Sequence, residues 1–372
     1  MKKRVVSILC LLIILSSIFI GCYNYTEINE VTFATSIIFD RDEYDNVVLY
    51  LDCVRPYRNA NESSDKGQRV LFQGKGKTAL EAIRDIDISS SNKLNFTQVR
   101  AYIFTEQVAR KGINKYIDLI NNDQQLSFKP YMFVYFGEVS SLLELTSGEE
   151  EYLGLYLNQL INKNKDNGKV IYSNINDYIS DSLISNNLSY MSAIRIKETP
   201  VSRNVELDGG VIMRDNHLVD ILEENDVLSY NLLNNVVRKG TFEISNPEEI
   251  DKFITLDILE HYIDTKVVAN NDGYDLDKNI QIKVSIGEIQ GKLRVTQEIL
   301  KTIEVAEENK LNNYLQDFYK KYQSKGIDVL GVNRLIQEKY PNNTIDDPFG
   351  KTKLNLNIDL IIDGSSLVKD SI

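Results

Sequence analysis

Hydrophobic positions along this chain fall into three patterns. One is an unbroken apolar run, one alternates every second residue, and one recurs every third or fourth. The unbroken run covers residues 5–20 without a charge, behind Lys2, Lys3 and Arg4. Residues 30–39 and 46–54, rich in Val, Ile, Phe and Tyr, flank the polar turn 40–45 and predict a hairpin. The polar stretch 58–68 reads as a loop. Residues 69–73 predict a short strand, and Thr78 caps a helix with Leu80, Ile83 and Ile86 on one face. Further strands are predicted at 99–104, 131–136 and 188–197. Between them fall helices at 106–121, with Ile113, Tyr116, Ile117 and Ile120 inward, and at 140–145, 149–163 and 175–185.

Apolar periodicity lapses at 200–207, which divides an N-terminal region, 22–200, with room for two subdomains, from a C-terminal domain, 201–372. There, residues 255–268 and 279–289 predict long strands. Ile280, Ile282, Val284 and Ile286 alternate strictly, so one face is buried and the other wet. Residues 296–323 form the longest predicted helix, with Leu311, Leu315, Phe318 and Tyr322 as its inner stripe. Leu354, Leu356, Ile358, Leu360 and Ile362 mark a final strand. Long strands followed by a long helix indicate an α+β, multidomain fold. Its sheets are mixed or antiparallel and flanked by helices, and the long helix lies across a largely antiparallel C-terminal sheet.

The apolar run sets the location. As a helix, residues 5–20 rise roughly 24 Å, short of the ~30 Å hydrocarbon core, so a permanent span is the weaker reading. Small Gly21 before Cys22 fits an export signal, residues 1–21, cleaved ahead of the cysteine. Bacterial lipoprotein signals resemble this pattern, although they favour Leu where this chain has Phe19. Cys22 is thus the predicted lipidation site, carrying S-diacylglycerol and N-acyl groups, and two acyl chains are the number at which anchoring becomes stable.

Charge and cysteines narrow the function. The chain has 372 residues and a net charge of −12, and losing the three cations of the signal leaves −15. An acidic protein without a long basic cluster is a poor nucleic-acid binder, and it stands off anionic lipid. Apart from Cys10 in the signal, only Cys22 and Cys53 remain, so acylation of Cys22 leaves Cys53 without a disulfide partner; it reads as a small core residue. Gly76-Lys77-Thr78 matches the end of the phosphate-loop pattern, but the glycine needed five positions earlier is Leu71, so a turn into a capped helix is the stronger reading. His217 and His261 have no metal-ligand spacing, and no Gly-x-Ser-x-Gly occurs. Glu149-Glu150-Glu151 reads as a solvated helix start. The 21 tyrosines read mostly as packing or interface residues. No catalytic, metal or cofactor residue is assigned.

Several segments resemble the Ger(x)C family of spore germination lipoproteins. Gly76-Lys77-Thr78-Ala79-Leu80-Glu81-Ala82-Ile83-Arg84 is similar to that family's Gly-Lys-Thr-x-x-Glu-Ala-Ile-Arg stretch. The segment from Gly21 through Cys22 to Asn29 is similar to its Gly-Cys-Trp-Asp-x-x-Glu-Ile-Asn start. Leu94-Asn95-Phe96, the Glu106 to Ile113 helix, Leu207 to Val219, Gly326 to Gly331 and Lys339-Tyr340-Pro341 follow in the family's order. In the Leu207 to Val219 segment the resemblance implies that the glycines open a strand and Asp215-Asn216 turn it. The chain departs in having no tryptophan, with Tyr23 in the family's Trp position and no Trp after Pro341, and in carrying Gln98 near a frequent histidine.

The resemblance implies a non-enzymatic, lipid-anchored subunit of a nutrient germinant receptor, on the outer face of the spore's inner membrane. It implies two polytopic partners, an A-type and a B-type subunit, and leaves direct small-molecule binding open. The alternatives are a lipid-anchored solute-binding protein and a cell-envelope hydrolase, the latter requiring a cleft with two facing carboxylates.

Overall fold

The structure is a computed structural model that describes residues 27–56, 67–145, 151–184, 187–342 and 344–365. The chain begins with strands β1 (Val31–Arg41), β2 (Val47–Arg55) and β3 (Gln68–Gly76), helix α1 (Ala79–Ser89), β4 (Lys93–Asn95) and β5 (Ala101–Thr105). Next come α2 (Glu106–Lys111), α3 (Asn114–Asn122), β6 (Tyr131–Tyr135), α4 (Val139–Leu143), α5 (Leu153–Asn164) and α6 (Ile175–Ile184). Strands β7 (Leu188–Glu198), β8 (Arg203–Arg214) and β9 (His217–Leu222) complete a nine-stranded sheet of order β3-β2-β1-β5-β6-β7-β8-β9, with β4 beside β1. The centre, β1-β5-β6-β7, is parallel and both flanks are antiparallel. The sheet runs through 200–207, because β7 and β8 pair as a hairpin from Glu198 and Arg203 onward.

Helices cover both faces of this sheet. Ala82, Ile83 and Ile86 of α1, Val108 and Ala109 of α2, and Tyr116 and Ile120 of α3 pack on one side. Leu142 of α4 and Leu153, Leu157 and Ile161 of α5 pack on the other. Strands closed in from both sides carry apolar residues consecutively, and every residue of β5 is buried. Two details differ from the sequence reading. Leu80 is 44% exposed, and Ala79 and Ala82 join Ile83 and Ile86 on the inner side of α1, where the helix closes on Gly74 and Gly76 of β3. The helix expected over 106–121 is broken at Gly112, whose φ of 106° no side-chain-bearing residue adopts without strain.

A buried charge pair locks the β2–β3 edge of the sheet. Asp52 is fully buried; its carboxylate accepts from Arg69 at 2.9 and 3.2 Å and from the Leu153 amide, the first turn of α5, at 2.6 Å. Burial pushes this carboxyl upward, while Arg69 and the Leu153 amide oppose the shift. The pair therefore joins β2, β3 and the positive end of α5 through one side chain.

The remaining elements are α7 (Glu224–Leu233), β10 (Thr241–Ser245), β11 (Phe253–Ala269), β12 (Tyr274–Ile289), α8 (Gln297–Ser324), α9 (Val332–Lys339) and β13 (Thr352–Ser365). They form a four-stranded sheet of order β10-β11-β12-β13. Ile280, Ile282, Val284 and Ile286 of β12 are all buried, as expected, and Thr296 caps α8 by accepting from the Ile299 amide. Leu311, Leu315, Phe318 and Tyr322 of α8 lie on the sheet. The sequence reading needs correction at two points. Gly209 and Gly210 fall inside β8 rather than at its start, although Asp215 and Asn216 do turn the chain, at φ 50° and 64°. The sheet is largely antiparallel, as expected, with the final pairing, β12 with β13, parallel because the crossover through α8 and α9 returns the chain in the same direction. Helix α7 and strand β10 were not anticipated.

Helix α8 also covers the free edge of β13. Gln316 donates to the Leu354 carbonyl, Tyr319 to that of Thr352, and the carboxylates of Glu308 and Glu304 accept from the Leu360 and Ile362 amides, each at 3.0–3.1 Å.

Candidate functional site

The residues with chemical potential in the sequence do not converge. Cys22 lies outside the described residues, as do Glu149 and Glu150; Ile28–Glu30 form one 3-10 turn that leads into β1. Cys53 is fully buried, and burial pushes its thiol up. At Gly76-Lys77-Thr78, Thr78 accepts from the Glu81 amide at 3.2 Å and Glu81 accepts from the Lys77 amide at 2.7 Å. A Cβ on Gly76 would lie 2.7 Å from the Ala82 nitrogen, so the segment closes α1 onto β3. His217 is exposed at the start of β9, and His261 is buried in β11. Among the described residues no three His, Cys, Asp or Glu side chains are placed to hold a metal.

What the second half does assemble is a junction between the two sheets, centred on α7. Its Val227, Leu232 and Leu233 share one apolar core with Leu188, Tyr190, Ile212 and Leu222 of the large sheet and with β11, β12 and α8. Polar groups fix its pose. Asn231 donates to the Gly168 and Val170 carbonyls at 2.9 Å. Buried Lys278 of β12 donates to the Leu233 carbonyl at the negative end of α7, at 2.8 Å, and to Thr265. Burial pushes this ammonium down to about 8. On the same side, burial and then Arg238 push His261 down to about 4; the Leu232 backbone favours its charged form without a hydrogen bond of normal geometry. Further bonds cross directly. Arg214 donates to the Gly326 carbonyl at 2.7 Å, Lys321 pairs with Asp226 at 2.6 Å, and Lys325 pairs with Asp220.

Two sequence segments gain structural roles here. Asp328 accepts from the Val332 and Asn333 amides at 2.7 Å, and so caps α9. Lys339 donates to the Val267 carbonyl at 2.6 Å, and the Tyr340 hydroxyl accepts from the Ala269 amide at 3.2 Å, which pins α9 to the β11–β12 hairpin.

Between α7, β10 and α8 lies a cavity of about 200 Å³. Its wall is Leu228, Leu232, Phe242, Leu311 and Leu315, and Glu307 is its one buried charge. Lys310 stands 3.4 Å from Glu307 and donates to the Glu243 carbonyl; burial pushes the Glu307 carboxyl up, against the pull of Lys310. This arrangement leaves no mark in the sequence, because its walls come from three separated segments. Among the described residues, no helix is long and apolar enough to cross a membrane.

Comparison with known proteins places this architecture. Residues 24–196 match the family model described as spore germination protein N-terminal domain, and residues 208–365 match spore germination B3/GerAC-like, C-terminal. Spore germination protein GerQC of Bacillus cereus is 21% identical over 326 residues, spanning 87% of this chain and 88% of that protein. Spore germination protein KC of Bacillus subtilis is 21% identical over 366 residues, 90% of this chain and 88% of that one. The crystal structure of the GerBC protein shares the fold at a TM-score of 0.55 and 14% identity, covering 88% of this chain and 96% of that one. With both germination domain models matched in order along nearly the whole chain, this protein belongs to the Ger(x)C family of spore germination proteins.

Proposed function

We propose that this chain is a non-enzymatic, lipid-anchored subunit of a nutrient germinant receptor, held by acylated Cys22 on the outer face of the spore's inner membrane. It works there beside an A-type and a B-type polytopic subunit. The observation that carries this reading is the order of features on one chain. An export signal ending at Gly21–Cys22 runs directly into the first germination domain at residue 24, and the second follows at 208.

The tether has a physical purpose. Two acyl chains hold the domain within reach of its partners, and confinement raises its effective concentration without any new contact. The net charge of −15 after signal removal keeps the folded body off anionic headgroups, so contact falls to the membrane-embedded partners. Rigid union of the two sheets through α7 lets a push on one be felt by the other.

Cys22→Ala tests the reading. The expected outcome is a folded protein released from the membrane fraction and a weakened or absent germination response to nutrients. Normal germination in spores carrying that change sinks the tether. Co-purification of two multi-span proteins with the wild-type chain supports receptor membership. The solute-binding alternative is favoured by one feature, the cavity floored by Glu307. It becomes the better reading if the full chain purifies without membrane partners and binds an amino acid or sugar at micromolar levels.

A further inference from the structure

At the hairpin end of the large sheet, beside an acidic turn, three cations line one pocket. Arg41, at the end of β1, Lys111, at the end of α2, and Lys115, in the first turn of α3, line a pocket of about 290 Å³ with Gly112, Asn114 and His217. The Arg41 side chain is only 9% exposed. Asp45 is the carboxylate in the lining, paired with Arg41 and, at 2.7 Å, with Lys111. Within the lining three cations face one anion, a local excess of two charges that leaves out Asp42 and Glu43 in the adjoining cavity. Lys115 feels that excess, since burial, then Arg41 and Lys111, push its ammonium downward.

The backbone adds donors to the same place. Helix α3 is nine residues long, and no side chain caps its N-terminus. The first-turn amides of Asn114 and Lys115 therefore sit beside the cations, where a helix offers its positive end. His217 closes the wall. Its Nδ1 lies 2.8 Å from the Asp215 carbonyl, and its Nε2 is so close to Gly112 that a Cβ there would approach within 2.6 Å.

We infer that this pocket is a binding site for a phosphate-class oxyanion, held by Arg41, Lys111, Lys115 and the amino end of α3. A dianion with three acceptor oxygens matches both the surplus charge and the fan of donors, which chloride or a lone carboxylate satisfies only in part. The phosphate belongs either to a soluble molecule or to a lipid headgroup. Position favours the soluble source. Arg41 ends an eleven-residue strand whose first residue is nearest the N-terminus, so the pocket stands about 33 Å from the start of β1. The site itself does not depend on the receptor reading, whereas the choice of a soluble source rests on the proposed anchor at Cys22.

The test uses the full chain purified in detergent micelles and inorganic phosphate as the probe, at ionic strength matched with sodium chloride. Calorimetric titration should show saturable binding, and thermal unfolding should shift upward with phosphate and not with chloride. Lys111→Ala/Lys115→Ala removes two exposed side chains and should weaken the phosphate affinity by more than about tenfold, since each is a charge-assisted donor. Lys310→Ala, at the other cavity, should leave it unchanged. No saturable phosphate binding, or equal affinity in the double variant, overturns the site. A second arm uses vesicles bearing phosphomonoester headgroups. Vesicle binding that the double variant abolishes supports the site with a lipid source, and phosphate binding without vesicle binding supports it with a soluble one.

Discussion

The large sheet and the C-terminal sheet solve the same problem in opposite ways. Strands β1, β2 and β5 are covered on both faces, so a charge among them survives only when paired inside, as Asp52 of β2 is by Arg69 of the edge strand β3. Strands β11 and β12 are covered by α8 on one face only, and their other face carries Lys283 opposite Glu260 in contact with water. In the first case a charge pair is part of the packing. In the second it is an accessory on the surface.

The sharpest way to break this contrast is to remove one partner of each pair. Arg69→Met strands a buried carboxylate and should cost about 3–5 kcal/mol in denaturant unfolding. Lys283→Met removes half of an exposed pair and should cost no more than about 1 kcal/mol. Similar losses at the two sites would mean that the Asp52 pair is no more enclosed than the surface one. A smaller effect separates the two faces of β12. Ile282→Ala should destabilise by about 2–4 kcal/mol and Gln281→Ala by about 0.5 kcal/mol or less. If Gln281→Ala instead costs as much only in the membrane complex, a partner covers the wet face.

A third expected effect concerns pH and the junction. His261 is held down near 4 in the folded protein, below its ordinary value of 6.5. Its neutral form is favoured by folding, so the stability it contributes is present above pH 6.5 and is lost as pH falls through about 4. Equilibrium unfolding of wild type should lose about 3 kcal/mol more over that window than His261→Leu. Parallel curves for the two proteins would remove His261 from the account of the junction.

These contrasts also explain what could be read in the sequence. Ile280 to Ile286 and the Leu311 to Tyr322 stripe were legible because each element buries one face, which leaves a single clean period. Helix α7 was not, because Val227, Leu228, Tyr230, Leu232 and Leu233 serve two sheets at once and trace no single stripe. The parallel direction of β13 depends on the route of the crossover, which no local pattern records. Asp52 did leave a trace, a lone acid inside the apolar strand Val47–Arg55, and Arg69 on the next strand was its available partner. The cationic pocket left none, since Arg41 and Lys115 are far apart in sequence and meet only through the fold. Cys22, the residue on which the anchoring proposal depends, rests on its sequence context alone.

The parallel pairing of β12 with β13 has a consequence for how the chain is made. About sixty residues separate the two strands, so β12 leaves the ribosome well before the strand that pairs with its far edge. At roughly 5–20 residues per second, the β11–β12 hairpin waits several seconds with that edge open, and its row of isoleucines is available to any neighbouring nascent chain. A premature stop or frameshift anywhere between Ile289 and Thr352 would make the wait permanent. Errors late in the message should therefore yield a product that aggregates through its C-terminal sheet rather than one that is merely shortened.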